Sequence, residues 1–410
     1  MPSSFLHSFA KPSSDAFINI VRGDMALLWD DKGNEYIDGI GSLWYCQIGH
    51  GRTEMADAVA AQISTLETYS TFDPFTNPLA EEIAEVIASL SPIANSRVFL
   101  CGSGSESIDS AMKIARTSQI QSGHPERSVI ISRNRGYHGT NYGGTSAQGL
   151  PLNKVGYGTL LEGVLQVEAD DIEAMSVAFQ QNKGNVAAVI AEPVQGAGGV
   201  WPATREYLEA LRRLCDDNGA YLIFDEVITG FGRTGDWSGA RHWGVQPDMM
   251  TTAKGITSAY FPVGATLLNA KVAETFESDQ SGEGGIFHGY TYSAHPVGMA
   301  AVNACLSETL RLDLKSNAAA RGAQLYKGLK ELQVEFDIIG DVRGGHGLMA
   351  AIELVSDRGA KTPMDMPSLK RAHRACYQSG TMVRMGGNNL LMSPPLTLTE
   401  ADVSKILDDL

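Results

Sequence analysis

Residues 24–38 (DMALLWDDKGNEYID) alternate polar and apolar side chains around Asp31-Lys32-Gly33-Asn34, the pattern of a β-hairpin. Residues 79–90 carry the helical period instead, with Ile83, Val86, Ile87 and Leu90 on one face. A regular rhythm then begins. Short apolar runs stand at 97–101 (RVFLC), 128–132 (SVIIS), 186–191 (VAAVIA), 221–224 (YLIF), 249–252 (MMTT) and 263–268 (VGATLL). Such runs, without polar alternation, suit strands buried on both faces. Helix-like segments separate them, among them 206–217 (EYLEALRRLCDD), stopped by Asn218-Gly219. Strands alternating with helices predict a mainly parallel sheet of βαβ units.

Beyond about residue 300 the pattern changes. Two long helical stretches, 300–314 and 317–332, lead to GHGLMAAIEL, a further helix and TMVRMGGNNLLMSPP. The last has two strand-like arms around Gly386-Gly387-Asn388-Asn389, a hairpin signal. The chain is therefore expected to form a large α/β domain over 51–299 and a smaller α+β domain from 1–50 and 300–410.

Composition narrows the function. The 410 residues are 43% hydrophobic and 19% charged, an ordinary globular mixture with room for a large core. The net charge of −15 disfavours nucleic-acid backbones and anionic membrane surfaces as partners. Five dispersed cysteines with no Cys-x-x-Cys argue against a disulfide framework and against a zinc site, so no metal is expected. The N-terminal segment lacks a basic region followed by an apolar core, and no apolar run reaches the ~18 residues of a membrane span. A soluble, cytoplasmic protein is expected.

In open parallel sheets, ligands bind beyond the carboxyl ends of the strands. After RVFLC comes Gly102-Ser-Gly-Ser-Glu-Ser107, feeding the helix IDSAMKIAR. A glycine-rich loop at a helix N-terminus offers free N–H groups to a phosphate, although a tight turn capped by serine reads the same way. It is neither a Walker loop nor a clean dinucleotide fingerprint. The second such spacing, Gly345 to Ala350, is assigned to turn geometry. After SVIIS comes Arg135-Gly-Tyr-His-Gly139, and after VAAVIA comes Glu192-Pro-Val-Gln-Gly196. After YLIF comes Asp225-Glu-Val-Ile-Thr-Gly-Phe-Gly-Arg-Thr-Gly235, and after MMTT comes Lys254-Gly255. Lys254 follows a buried strand with no charged neighbour in sequence, and desolvation turns a lysine into a nucleophile or Schiff-base former. A lysine, a phosphate cradle and a carboxylate are the parts a pyridoxal-phosphate site needs.

GSGSESIDSAMKIAR, YHG, AEPVQG, FDEVITGFGRTG and AKG, in that order, resemble the class III (ω-) aminotransferases, enzymes of pyridoxal-phosphate fold type I. The resemblance spans nearly the whole chain. It implies that Lys254 holds the aldehyde of pyridoxal 5'-phosphate covalently and shuttles the substrate proton, with pyridoxamine 5'-phosphate as the alternate cofactor form. It implies that Asp225 keeps the pyridine nitrogen protonated, and that Tyr137 and Val227 cover the two ring faces. His138 and Glu192 belong to the same cofactor site, and Gly104 and Ser105 hold the phosphate. Thr291, in HGYTYSAHP, looks like the residue that reaches the partner subunit's phosphate, which implies a homodimer or a tetramer.

Departures from the family's 2-oxoglutarate branch point to the substrate. That branch has Gln where this chain has Ile228, and an arginine shortly before the Pro-Pro pair where Leu391-Met392-Ser393 precede Pro394-Pro395. Glu192 thereby lacks its expected partner. Arg384, in MVRMGGNNLLMSPPL, matches instead the amine or ω-amino acid:pyruvate branch, where a mobile arginine binds the α-carboxylate. Trp44, in Leu43-Trp44-Tyr45, with Phe72 and Phe75, resembles that branch's aromatic pocket wall. The expected reaction is ping-pong transfer of an amino group from an amine or ω-amino acid to pyruvate. An aminomutase or diaminopelargonate-type transaminase, and a nucleotide-binding oxidoreductase, remain as alternatives at this point.

Overall fold

A computed structural model describes residues 4–11, 17–278 and 285–410. Its central sheet has seven strands: β1 (Arg97–Cys101), β2 (Val129–Arg133), β3 (Val164–Val167), β4 (Val186–Ala191), β5 (Tyr221–Asp225), β6 (Met249–Thr252) and β7 (Gly264–Leu268). They are ordered β1-β7-β6-β5-β4-β2-β3. Every pairing is parallel except those of β7, which runs antiparallel to both β6 and β1. The apolar run at 263–268 carries no mark of direction, so this reversal is invisible in the sequence. β3 was not anticipated. It is an edge strand, half-buried along its length, and Gln166 interrupts its apolar pattern.

β4 and β5 are buried at every position, and their side chains alternate between two helices. Ala188 and Ile190 of β4, with Ile223 of β5, pack with Ile108, Ala111 and Ile114 of the helix Gly104–Gln121. Val189, Leu222 and Phe224 pack on the other side with Leu208 and Leu211 of the helix Arg205–Asn218. Each of the valine, leucine, isoleucine and phenylalanine side chains among these contributes about 1.5–3 kcal/mol by leaving water. The second helix ends at Gly219, whose φ of 65° lies in the left-handed region that a side chain resists. The Gly219 N–H donates to Asp216 and that of Ala220 to Cys215, which satisfies the last carbonyls.

The terminal segments build two further sheets. Ile20–Asp24, Leu27–Asp30 and Glu35–Asp38 form an antiparallel meander that Thr381–Met382 joins in parallel. Ile339–Arg343, Ala350–Asp357, Asn389–Met392 and Arg384–Gly386 form the other, all antiparallel. The segment 381–386, read as one arm of a hairpin, is thus split between the two sheets. Ile37, Ile48 and Met55 share one core with Leu325, Ile352 and Val403, so the chain's two ends are packed together. No helix of the described residues is long and apolar enough to cross a membrane. All five cysteines are free and buried.

Candidate active site

The strands deliver their following residues to one cavity of about 240 Å³. Asp225 ends β5, opposite Thr251 of β6, and is 5% exposed. Its Oδ2 lies 2.8 Å from His138 Nδ1, and its Oδ1 accepts from the Val227 N–H at 3.1 Å. A buried carboxylate held this way presents a fixed negative charge to the cavity. Lys254 follows β6 with a φ of 46°, a conformation that costs a residue with a side chain about 1–2 kcal/mol. Burial pulls its amine below the ordinary lysine range, and Asp225 and Glu192 oppose that shift through their charges. Among the described residues its amine has no hydrogen-bond or ion-pair partner.

After β1 the chain turns into a helix at Gly104, four residues earlier than the glycine run suggests. Ser103 caps it, its hydroxyl accepting from Glu106 N–H at 3.2 Å. The N–H groups of Gly104 and Ser105 precede the first intrahelical bonds and have no acceptor within the helix. Glycine suits position 104, because a Cβ there would stand 3.0 Å from Val227 Cγ1 and that side chain would have to give way. Ser105 Oγ accepts from Thr140 N–H at 3.0 Å, leaving its own proton to donate. Gly139 permits this packing, since a Cβ at its φ of 88° would lie 2.5 Å from that hydroxyl. The result is a helix N-terminus with two N–H groups and a hydroxyl, a seat for a phosphate.

Arg133 donates to the Glu192 backbone carbonyl, but among the described residues the Glu192 carboxylate has no arginine partner. Its carboxylate accepts from the N–H groups of Tyr137 at 2.8 Å and Gly196 at 3.1 Å, which ties the Tyr137 loop to the end of β4. Burial pushes this carboxyl up to about 7, against the pull of His138. Arg384 stands outside the lining but within electrostatic reach of both Lys254 and Tyr137. Its guanidinium makes no hydrogen bond or ion pair with a described residue. The resemblance implies a mobile Arg384. Its backbone is in a strand, opposite Leu391, and the turn is confined to Gly387-Asn388, so any freedom resides in the side chain.

The cavity brings together Gly104, Ser105, Tyr137, His138, Glu192, Asp225, Val227 and Lys254. It does not include Trp44, Phe72, Phe75 or Thr291. Trp44 is 3% exposed, in the buried cluster that also holds Ile228, Met349 and Leu391, and its neighbour Tyr45 lines the cavity instead. Phe72, Phe75 and Thr291 are exposed, and Thr71 Oγ1 donates to Ser293 O at 3.1 Å, so their two segments adjoin on the surface. Sequence reasoning named Tyr45 only within Leu43-Trp44-Tyr45 and chose Trp44, and it missed Phe261, Pro262 and Val263; all four line the cavity. The last three precede β7: because β7 is reversed, its amino end faces the site. One further group, Asp38, Cys46 and His50, gathers its ligand atoms within 4.8 Å. Asp38 is occupied there by Ser42 N–H and His50, and burial keeps the Cys46 thiol protonated, which suits no metal.

Residues 8–410 match the family model described as Aminotransferase class-III. The chain is 36% identical over 409 residues to the beta-alanine–pyruvate aminotransferase of Pseudomonas aeruginosa, covering 95% of this chain and 90% of that protein. Among solved structures it resembles the PLP-bound amine transaminase of an uncultivated Pseudomonas species, with a TM-score of 0.95 and 38% identity. That match covers 99% of this chain and 97% of the other. The ω-transaminase of Pseudomonas jessenii in complex with PMP has a TM-score of 0.95 at 31% identity, covering 99% and 94%. A lysine, a buried carboxylate and a phosphate seat at the carboxyl ends of one sheet define a pyridoxal-phosphate enzyme of fold type I. The chain belongs to the class III aminotransferases.

Its cofactor is pyridoxal 5'-phosphate. The donor set fits that group: a carboxylate for the ring nitrogen, an unpaired amine for the aldehyde, and N–H groups with a hydroxyl for the phosphate.

Proposed function

We propose that this enzyme moves an amino group from an amine or ω-amino acid to pyruvate in a ping-pong cycle. The observation that carries the reading is the pairing of charges at the substrate end. Among the described residues Arg384 is a cation without a hydrogen-bond or ion-pair partner, within electrostatic reach of Lys254, whereas the Glu192 carboxylate is satisfied by backbone N–H groups. One cation suits one α-carboxylate. Ile228 lines the cavity and offers no polar group to a second carboxylate. The names of the Pseudomonas aeruginosa relative and of the transaminase neighbours agree with this substrate class.

When bound, the cofactor supplies an electrophilic carbonyl and a ring that spreads negative charge from the substrate's α-carbon. The residues do the rest. Asp225 holds the proton on the ring nitrogen, and His138 keeps that carboxylate oriented. Lys254 Nζ, shifted toward its neutral form by burial, takes the α-proton and returns it. Tyr137, Val227, Gly104 and Ser105 line the cavity; the first two would cover the ring and the last two would hold the phosphate. Arg384 grips the carboxylate of pyruvate with two parallel hydrogen bonds and swings away for an amine that has none.

The exposed face of Phe72, Phe75 and Thr291 fits a second copy of the chain, with Thr291 completing the partner's phosphate site in a homodimer. Free, buried cysteines fit a reducing compartment, and we place the enzyme in the cytoplasm. An acceptor screen tests the substrate reading. With a 1-arylalkylamine or ω-amino acid donor, pyruvate is expected to be the faster acceptor; a clear preference for 2-oxoglutarate contradicts it.

A further inference from the structure

Trp201 lies between two guanidinium groups. Arg135 Cζ stands 4.3 Å from its ring centroid and Arg343 Cζ 3.9 Å. Such a sandwich draws both cations to one indole. The three residues come from distant parts of the chain. Arg135 precedes Tyr137 after β2, Trp201 belongs to the short strand Trp201–Pro202, and Arg343 ends a strand of the C-terminal sheet.

Both cations are also anchored. Arg135 Nη2 donates to Asp170 at 2.6 Å, and Arg343 Nη1 donates to Asp341 at 2.9 Å and Glu353 at 3.2 Å. The indole is held as well, its Nε1 donating to Gly198 O at 3.1 Å, while Arg343 Nε donates to Gly199 O at 2.8 Å. From Arg343 the network runs into the hairpin that bears Arg384. Nη2 of Arg343 donates to Asn389 Oδ1, and Asn389 Nδ2 donates to Gly386 O at 2.9 Å. Gly386 and Asn389 are the pair that closes the hairpin. None of these side chains lines the cavity.

We propose that Trp201, Arg343 and Asn389 are positioning residues. They brace the Arg384 hairpin against the Tyr137 loop, so that the carboxylate-gripping cation and the ring-covering aromatic keep a fixed separation. The inference rests on the reading of Arg384 above. The two units it joins are separate in sequence and belong to different sheets. A brace of this kind acts on carboxylate-bearing substrates through Arg384 and on other substrates hardly at all.

The test uses the holoenzyme with a 1-arylalkylamine donor and two acceptors, pyruvate and an aldehyde. Asn389→Ala and Trp201→Leu are expected to raise the KM for pyruvate about tenfold, with kcat changed far less. The KM for the aldehyde should stay within about twofold. Trp201→Phe, which keeps an aromatic face for both cations, should recover most of the loss. Melting temperatures identify any variant that fails to fold, in which case the milder Asn389→Ala carries the measurement. Adding Asn389→Ala to Arg384→Ala should produce no further rise in pyruvate KM, because the brace acts only through that arginine. Equal losses for both acceptors, an additive double variant, or a Trp201→Phe enzyme as poor as Trp201→Leu overturns the brace. If Arg384→Ala raises the pyruvate KM but the brace variants do not, the brace alone fails. If Arg384→Ala leaves that KM unchanged, the reading of Arg384 falls, and the brace with it.

Discussion

At the cofactor end of the site, both carboxylates are held. Asp225 takes bonds from His138 and Val227, Glu192 from Tyr137 and Gly196, and both carboxylates stand at the ends of strands in one sheet. At the carboxylate end, Arg384 extends from a hairpin of another sheet, and its guanidinium has no partner among the described residues. A bound cofactor stays through every cycle, so its groups are best preorganised. A group that must meet a carboxylate in one half-reaction and none in the other is better left unpaired, because a fixed buried cation opposite an apolar amine would cost several kcal/mol.

The comparison breaks most sharply at Lys254. Lys254→Ala should lower turnover by at least about 10⁴-fold and remove the visible absorbance of covalently held cofactor, while the protein still folds. Turnover near the wild-type rate would place the chemistry on another residue. The next largest effect is expected at Asp225. Asp225→Asn keeps the shape and removes the charge, and the rate should fall roughly 10²- to 10³-fold. A change of only a few-fold would mean that another group holds the ring proton.

A smaller effect sharpens the contrast between held and free groups. Glu226 accepts from Gly239 N–H at 2.8 Å and from Ala240 N–H at 2.6 Å, and burial pushes its carboxyl up to about 7. A carboxyl raised in the folded state binds its proton more tightly there than in the unfolded chain. Its contribution to stability is therefore present below the ordinary glutamate range and lost as pH rises toward 7. The melting temperature of the cofactor-free protein should fall less steeply between pH 5 and 8 in Glu226→Gln than in the wild type, a difference of about 1–3 °C. Parallel slopes for the two proteins would contradict the shift.

The same contrast explains what could be read in the sequence. Lys254, Asp225, Glu192 and Tyr137 follow buried apolar runs, and a parallel strand carries its next residue to the ligand edge, so their convergence was legible. Phe261, Pro262 and Val263 were not, because the direction of β7 leaves no trace in an apolar run. Trp44 and Tyr45 illustrate a finer limit. Adjacent aromatics at a kinked turn, with Trp44 at a φ of 67°, divide between core and cavity by a backbone angle that composition does not encode. The position of Arg384 was legible through resemblance, whereas its strand conformation and the Trp201 network behind it arise from contacts between distant segments.

The central claim is that Arg384 is the free cation that selects a carboxylate-bearing acceptor. The most direct measurement is steady-state kinetics of Arg384→Ala against wild type, with a 1-arylalkylamine donor and with pyruvate or an aldehyde as acceptor. The account predicts that the KM for pyruvate rises about ten- to a hundredfold while the KM for the aldehyde changes far less. Equal losses with both acceptors, or an unchanged KM for pyruvate, would contradict it.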